Sequence, residues 1–479
     1  MLPQNSITTL YSWNFIQRSI LIILAMTYCI LFYMMWTNQL ETDFYAFHSS
    51  SMSLFQGNSA YPDLHIPYVP TDYTIGTNLN PPIFLMLFWP LSKLNIHHAL
   101  IIWSSISFIV GLISASIAFK LAFSPEFIKK HQLTLYIIYL SLFSTMANTA
   151  IAQIGSYLAF FLIFGYYSYR KSRYILAGVL WGIIISIKLF PGLLFFYVLR
   201  QRHYKMLVIM AMTVLIMWLI PLLNYGMDIY FNYFKLMPRV TWYGDSWNAS
   251  IYGFLFRIFV NSSTLDNLRW VQSLHILLAL GCLVWYLKKI YSIQRDDKHH
   301  QQFCLTLVMM LLISPFSWLY YFPILLFPLL ITWSQISVVF VQPALKSDRS
   351  PSVNITPLAV TKKNRIITWF MCLFLINIPI WIRHSIYMPS IFEKLSFGSY
   401  LFYGLLLLTY LLSKIDSSPE VEHQDLTQSS SNYLIFPLMT VLAFGFVLGP
   451  GIFFSSYLIN AILLLFGSRA YVSSMSLTN

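Results

Sequence analysis

Two polar segments interrupt a chain that is otherwise compatible with hydrocarbon: Glu41-Thr42-Asp43-Phe44-Tyr45 and Asn78-Leu79-Asn80-Pro81-Pro82. Both fall in the loop 38–96 after the first long apolar run. That loop carries four carboxylates, Glu41, Asp43, Asp63 and Asp72, against one basic residue, Lys93. Asp43 follows the apolar run closely, so it is held near the headgroup plane. Partly desolvated by Phe44 and Tyr45, it could take a proton from an acceptor hydroxyl. It could equally start a helix, where the dipole favours an acid. An acidic loop at a membrane surface suggests chemistry outside the cell on a lipid-linked substrate.

Two cations lie within apolar runs. Lys188, in Ile187-Lys188-Leu189-Phe190-Pro191-Gly192, is costly at mid-bilayer. It either contacts a phosphate or snorkels to the surface. Arg257 follows Asn248-Ala249-Ser250 and suits phosphate binding, or an ion pair with Asp245 or Asp266. Asn148, Gln153 and Asn248 could hold sugar hydroxyls or serve as caps and interhelical bonds. Trp242, Tyr243, Trp247 and Trp318 could stack on sugar faces. The candidates for sugar or acceptor contact are Tyr45, Asn80, Gln153, Asn248 and Trp318. The sequence has no P-loop and no G-x-G-x-x-G after a strand. His97-His98 and His299-His300 are adjacent pairs that cannot share a helix face, and no cluster has metal spacing. No cofactor or metal is expected.

The elements that must position these residues are membrane helices. Of 479 residues 58% are hydrophobic and 9% charged, against about 25% charged in a soluble domain. Apolar runs of roughly 20 residues predict an all-α polytopic bundle. Spans are expected near 18–37, 97–121, 132–147, 150–169, 174–187, 189–199, 204–223, 268–291, 302–315, 318–340, 366–383, 398–414, 433–449 and 452–468. Several are too short to cross alone, so about 11 to 14 spans are expected. The net charge of +13 fits the positive-inside rule rather than nucleic-acid binding. Basic loops around Lys120–Lys130, Arg170–Arg173, Arg200–Lys205, Lys288–Lys298 and Lys346–Arg365 mark the inner face. Loops 38–96 and 224–267, Ala147–Gly155 and the Ser314–Trp318 turn then face outward, with Lys188 at an outer turning point. Residues 41–56 and 226–237 predict interfacial helices, and 343–364 and 415–432 solvated linkers. Cys29, Cys282, Cys304 and Cys372 lie in or beside apolar runs and read as packing.

The order of short blocks resembles glycosyltransferase family 87, the polyprenyl-phosphate-mannose-dependent mannosyltransferases and their relatives in the bacterial envelope. The blocks are Asp43-Phe44-Tyr45, Gly57 with Tyr61-Pro62, Asn80-Pro81-Pro82, Ala152-Gln153-Ile154-Gly155, Ala177-Gly178 with Ile187 to Pro191, Asn248 to Ser250 with Arg257, and Ser314-Pro315-Phe316-Ser317-Trp318. The resemblance runs to about residue 340. It implies a GT-C fold with a catalytic module 1–340; composition adds a linker 341–365 and C-terminal helices 366–479. It implies Asp43 as the base, an inverting transfer from a polyprenyl-phosphate sugar to a glycolipid or glycan acceptor, and an extracytoplasmic site in the bacterial inner membrane. Lys188 and Arg257 map to the family's phosphate contacts. Where members often carry His after the Ser-Trp pair, this chain has Leu319, Tyr320 and Tyr321. Tyr320 can donate a hydrogen bond to the donor phosphate but is not cationic near neutral pH. A transporter or flippase of lipid-linked sugars is the alternative. It should place ionisable groups at mid-membrane, often with repeat symmetry, whereas these collect on one face.

Overall fold

The computed structural model describes residues 4–37, 43–61, 63–64, 75–76, 78–240, 242–262, 264–293, 299–337, 357–379 and 382–414. Glu41, Asp72, linker 415–432 and the expected spans 433–449 and 452–468 lie outside these residues.

The chain folds as helices: α1 Gln4–Thr37, α2 Asp43–Phe55, α3 Pro82–Ser92, α4 Ile96–Ala122, α5 Pro125–Ser141, α6 Phe143–Ala150, α7 Gly155–Arg170, α8 Tyr174–Ile187, α9 Leu194–Arg200, α10 Tyr204–Tyr225, α11 Asp228–Leu236, α12 Ile251–Phe259, α13 Leu268–Ser292, α14 His299–Ile313, α15 Leu326–Ser337, α16 Pro357–Asn377, α17 Ile391–Leu395 and α18 Tyr400–Lys414. Three-residue-per-turn segments Phe190–Leu193 and Leu319–Leu325 precede α9 and α15. Among the described residues, the β-strands are Asp63–Leu64 paired antiparallel with Ile75–Gly76, and a single antiparallel bridge joins Asn248 to Trp318.

Local sequence sets the helix ends. Ser124 caps α5 by accepting from Phe127 N–H, with Pro125 at the first turn and Glu126 on the positive end of the dipole. Ser250 caps α12 by accepting from Gly253 N–H at 2.8 Å. Gly226, at φ +73°, ends α10 with its N–H on Leu222 O, a conformation costly for residues with a Cβ.

Among the described residues, six helices are long and apolar enough to cross a membrane: Phe15–Thr37, Ile96–Ala122, Tyr204–Tyr225, Leu268–Ser292, Leu319–Ile336 and Ile391–Lys414. The pair α5–α6, bent by 57°, makes a seventh if it is one span. Shorter apolar helices include α3, α8 and Phe190–Arg200. The stretch 174–200 therefore breaks at Lys188, as expected from Pro191. Helix α10 faces outward with apolar side chains such as Leu215, Ile216 and Leu223. This exposure suits lipid rather than water.

Two expectations need correction. Loop 38–96 is not wholly a polar surface loop, because it contains α3, whose Ile83, Phe84, Leu85 and Phe88 are buried. At 11 residues, with Pro90 inside, α3 is too short and too broken to register as a span. The expected linker 343–364 is helical from Pro357 onward, because a proline is compatible with the first helical turn.

Candidate active site

Helix α2 begins at Asp43, and its Phe44 and Phe47 turn inward against Phe88, Phe84 and Trp103. This packing leaves the partly buried Asp43 facing the turn between α6 and α7. In that turn Ala152 adopts φ +52°, a left-handed conformation that a residue with a Cβ rarely takes. Trp103 Nε1–H holds it by donating to Ala152 O at 2.8 Å. The bend aims Gln153 at Asp43, and Gln153 Nε2–H donates to Asp43 Oδ2 at 2.5 Å. Gln153 Oε1 accepts from Ile154 N–H at 3.0 Å, which fixes the amide with its donor toward the carboxylate.

Lys188 reaches the same place from the break after α8. Its backbone is extended, at φ −139° and ψ 126°. Its Nζ lies 5.3 Å from the centre of the Tyr321 ring and within electrostatic reach of Asp43. Tyr320 and Tyr321 come from the Leu319–Leu325 segment, and both also lie within electrostatic reach of Asp43. Tyr320 stacks on Trp318 at 5.9 Å, with the rings 8° from parallel. This wall approaches the start of α7 so closely that a Cβ on Gly155 would sit 1.8 Å from Tyr320 O. Glycine is what the contact requires.

Withdrawal from solvent raises the Asp43 pKa, while the Gln153 bond and the Lys188 charge pull it back. A carboxylate with a raised pKa, bonded by an amide and beside a lysine amine, is a candidate proton acceptor. Among the described residues no group of three His, Cys, Asp or Glu side chains is placed to hold a metal ion.

Asp43, Gln153, Lys188 and Tyr320 therefore converge. Gln153, expected at the sugar, is occupied instead in holding Asp43. Tyr45 is partly buried on α2. Trp318 is buried behind Tyr320. Asn80 is buried beside Tyr61, whose hydroxyl donates to Asn80 O at 3.1 Å.

Asn248 and Arg257 do not fit their expected roles. Asn248 Nδ2 donates to Tyr243 O and Pro315 O, and its Oδ1 accepts from Ser250 and Ser317 N–H. That exhausts its amide. It stitches residues 243–250 to the Ser314–Trp318 turn, where Ala249 N–H also donates to Ser317 O and Leu319 N–H to Trp247 O. Arg257 is fully buried. Its Nε and Nη2 donate to the carbonyls of Gly244, Asp245 and Asn248, and its Nη1 to Ser399 Oγ. Four of its five N–H donors are thus used inside the protein. The expected ion pair with Asp245 takes another form, because the Asp245 carboxylate accepts from Ser385 N–H at 2.9 Å and lies 2.7 Å from His384 Nδ1.

Sequence reasoning missed Tyr321, Trp103 and the Asp245–His384 pair. His384 lies in a region with no motif, and only the fold brings it to residues 244–246. Burial lowers its pKa, but the bond and charge of Asp245 outweigh this and leave it raised.

A family model, glycosyltransferase family 87, matches residues 78–315. The matched stretch includes Gln153 and Lys188; Asp43 precedes it, and the Trp318–Tyr321 wall follows it. No curated protein and no solved structure matches the chain. With its apolar spanning helices and this match, the chain belongs to glycosyltransferase family 87 and is a membrane glycosyltransferase.

Proposed function

We propose that the protein transfers a sugar, mannose by the family resemblance, from a polyprenyl-phosphate donor to a hydroxyl of an envelope glycolipid or glycan. One observation carries this reading: in a membrane glycosyltransferase, a bonded and oriented carboxylate, Asp43, stands within electrostatic reach of Lys188. Asp43 takes the acceptor's hydroxyl proton as that oxygen bonds to the anomeric carbon. The carbon–oxygen bond to the lipid phosphate breaks, the phosphate leaves with the electron pair, and the configuration inverts. Lys188 offsets the departing charge, and Tyr320 offers the phosphate a neutral hydroxyl donor.

We place this chemistry on the extracytoplasmic face of a bacterial inner membrane. Helix α8 starts just after Arg170, Lys171 and Arg173, and α9 ends at Arg200. Arg200 donates to Ile290 O and Ile293 O at the end of α13, next to Lys288 and Lys289. These basic ends mark one side by the positive-inside rule. Lys188 sits at the break where α8 ends, away from them.

Incubation of the purified protein with a panel of polyprenyl-phosphate sugars, read by mass spectrometry of the products, tests the donor class. One such donor is expected to give a glycosylated acceptor. Products from nucleotide sugars alone would overturn the assignment.

A further inference from the structure

The turn before α3 contains a donor and an acceptor that the protein does not use. Asn78 Oδ1 accepts from the backbone N–H of Asn80 at 3.0 Å and from Asn80 Nδ2 at 2.6 Å. These bonds fix both amide orientations. Asn78 Nδ2 and Asn80 Oδ1 are left over, buried and without a hydrogen-bond partner. Each residue is 1% exposed.

The sequence explains why nothing local fills the gap. An Asn side chain in a turn commonly accepts from the backbone N–H two residues on. After Asn80 that position is Pro82, and the one between is Pro81. Neither has an N–H to give. Pro81, at φ −57°, and Pro82, at the start of α3, also stiffen the turn against rearrangement. Buried polar groups left unmade are unfavourable, and two of opposite sense on one side-chain pair match a single hydroxyl, which both donates and accepts.

The surroundings are aromatic. The Tyr61 hydroxyl donates to Asn80 O, and the Tyr61 ring lies 5.7 Å from the Tyr233 ring. Tyr233 is within electrostatic reach of Tyr321, and Tyr321 of Asp43. Tyrosines therefore lead from the amide pair to the carboxylate. Rings that take the C–H face of a sugar, beside amides that take its hydroxyls, are the chemistry a carbohydrate subsite uses.

We propose that Asn78 and Asn80 read one hydroxyl of a sugar ring, with Tyr61 and Tyr233 as its stacking faces. This rests on the sugar-transfer reading above and adds to it the group that selects the sugar. The sugar could belong to the donor or to the acceptor, and kinetics separate the two.

The variants are Asn78→Ser, which keeps an acceptor for the turn and loses the Nδ2 donor, and Asn80→Leu, which removes Oδ1. Each is assayed with donor and acceptor varied in turn, alongside its melting temperature in detergent. The expected result is a rise of about tenfold or more in one KM with kcat within about twofold. A rise in the donor KM assigns the pair to the donor sugar; a rise in the acceptor KM assigns it to the acceptor. Both KM values unchanged would overturn the proposal. Should the variants fail to fold, wild-type protein is heated with methyl α-mannopyranoside and its monodeoxy analogues. Loss of thermal protection on removing one hydroxyl supports the subsite, and equal protection by all analogues, or none by any, overturns it. Turnover with unchanged KM would remove the subsite and leave the transfer reading intact. Protection that depends on one hydroxyl, without turnover of any lipid-phosphate sugar, would do the reverse.

Discussion

At the residue scale, the proposed mechanism depends on the ionisation of Asp43. Its pKa is raised by withdrawal from water and held down by Gln153 and Lys188. A base works only when deprotonated, so activity falls as pH drops through that raised value. Gln153→Ala removes an interaction that favours the carboxylate. The acid limb of kcat/KM should therefore move to higher pH, and kcat should fall roughly 10- to 100-fold as the carboxylate loses its orientation. A pH–rate profile checks this; an acid limb that stays put would make Gln153 a packing residue. Asp43 and Lys188 stand out in the sequence because a charge in or beside an apolar run is expensive and needs a reason. Asn248 and Arg257 misled for a related reason: a buried polar residue that satisfies loop carbonyls has the same sequence signature as one that meets a substrate.

At the element scale, the segment 242–259 is held by the Arg257 guanidinium, which donates hydrogen bonds to three main-chain carbonyls. It is clasped by residues 383–385 and 399, with Ser246 N–H donating to Arg383 O and Arg383 N–H to Ser246 Oγ. Arg257→Ala would strand buried carbonyls and leave Asp245 with His384 but without the guanidinium's charge. The expected loss is about 3–5 kcal/mol, seen as a collapse in melting temperature or in yield of monodisperse protein. Protein that survives should keep an unchanged donor KM. A stable variant with a much weaker donor KM would return Arg257 to the phosphate. The elements themselves were largely readable. The break at Lys188 and the short helices α2 and α11 follow from proline placement and apolar spacing. Helix α3 was hidden by its length, and the clasp by its sequence separation from the segment it holds.

At the scale of the whole molecule, the bundle of spanning helices brings Asp43, Gln153, Lys188 and Tyr320 together from four separate stretches of chain. The family and the helical architecture could be anticipated, and all four residues stand out in the sequence; the bond from Gln153 to Asp43 could not be read there, because it depends on the strained backbone at Ala152. The proposed orientation makes a direct prediction. In a background lacking the native cysteines, single cysteines at the exposed Asn58 and Tyr387 should react with an impermeant maleimide from outside the cell. One at Lys171 should react only after the membrane is opened; the opposite pattern would invert the topology. The central claim is that an aspartate at the start of α2 deprotonates the acceptor for transfer from a lipid-phosphate sugar. Its most direct test is product formation by Asp43→Asn in purified, folded form, measured by mass spectrometry beside wild type with the same polyprenyl-phosphate donor. The account predicts donor binding close to wild type with product reduced by at least about 100-fold; transfer at the wild-type rate would contradict it.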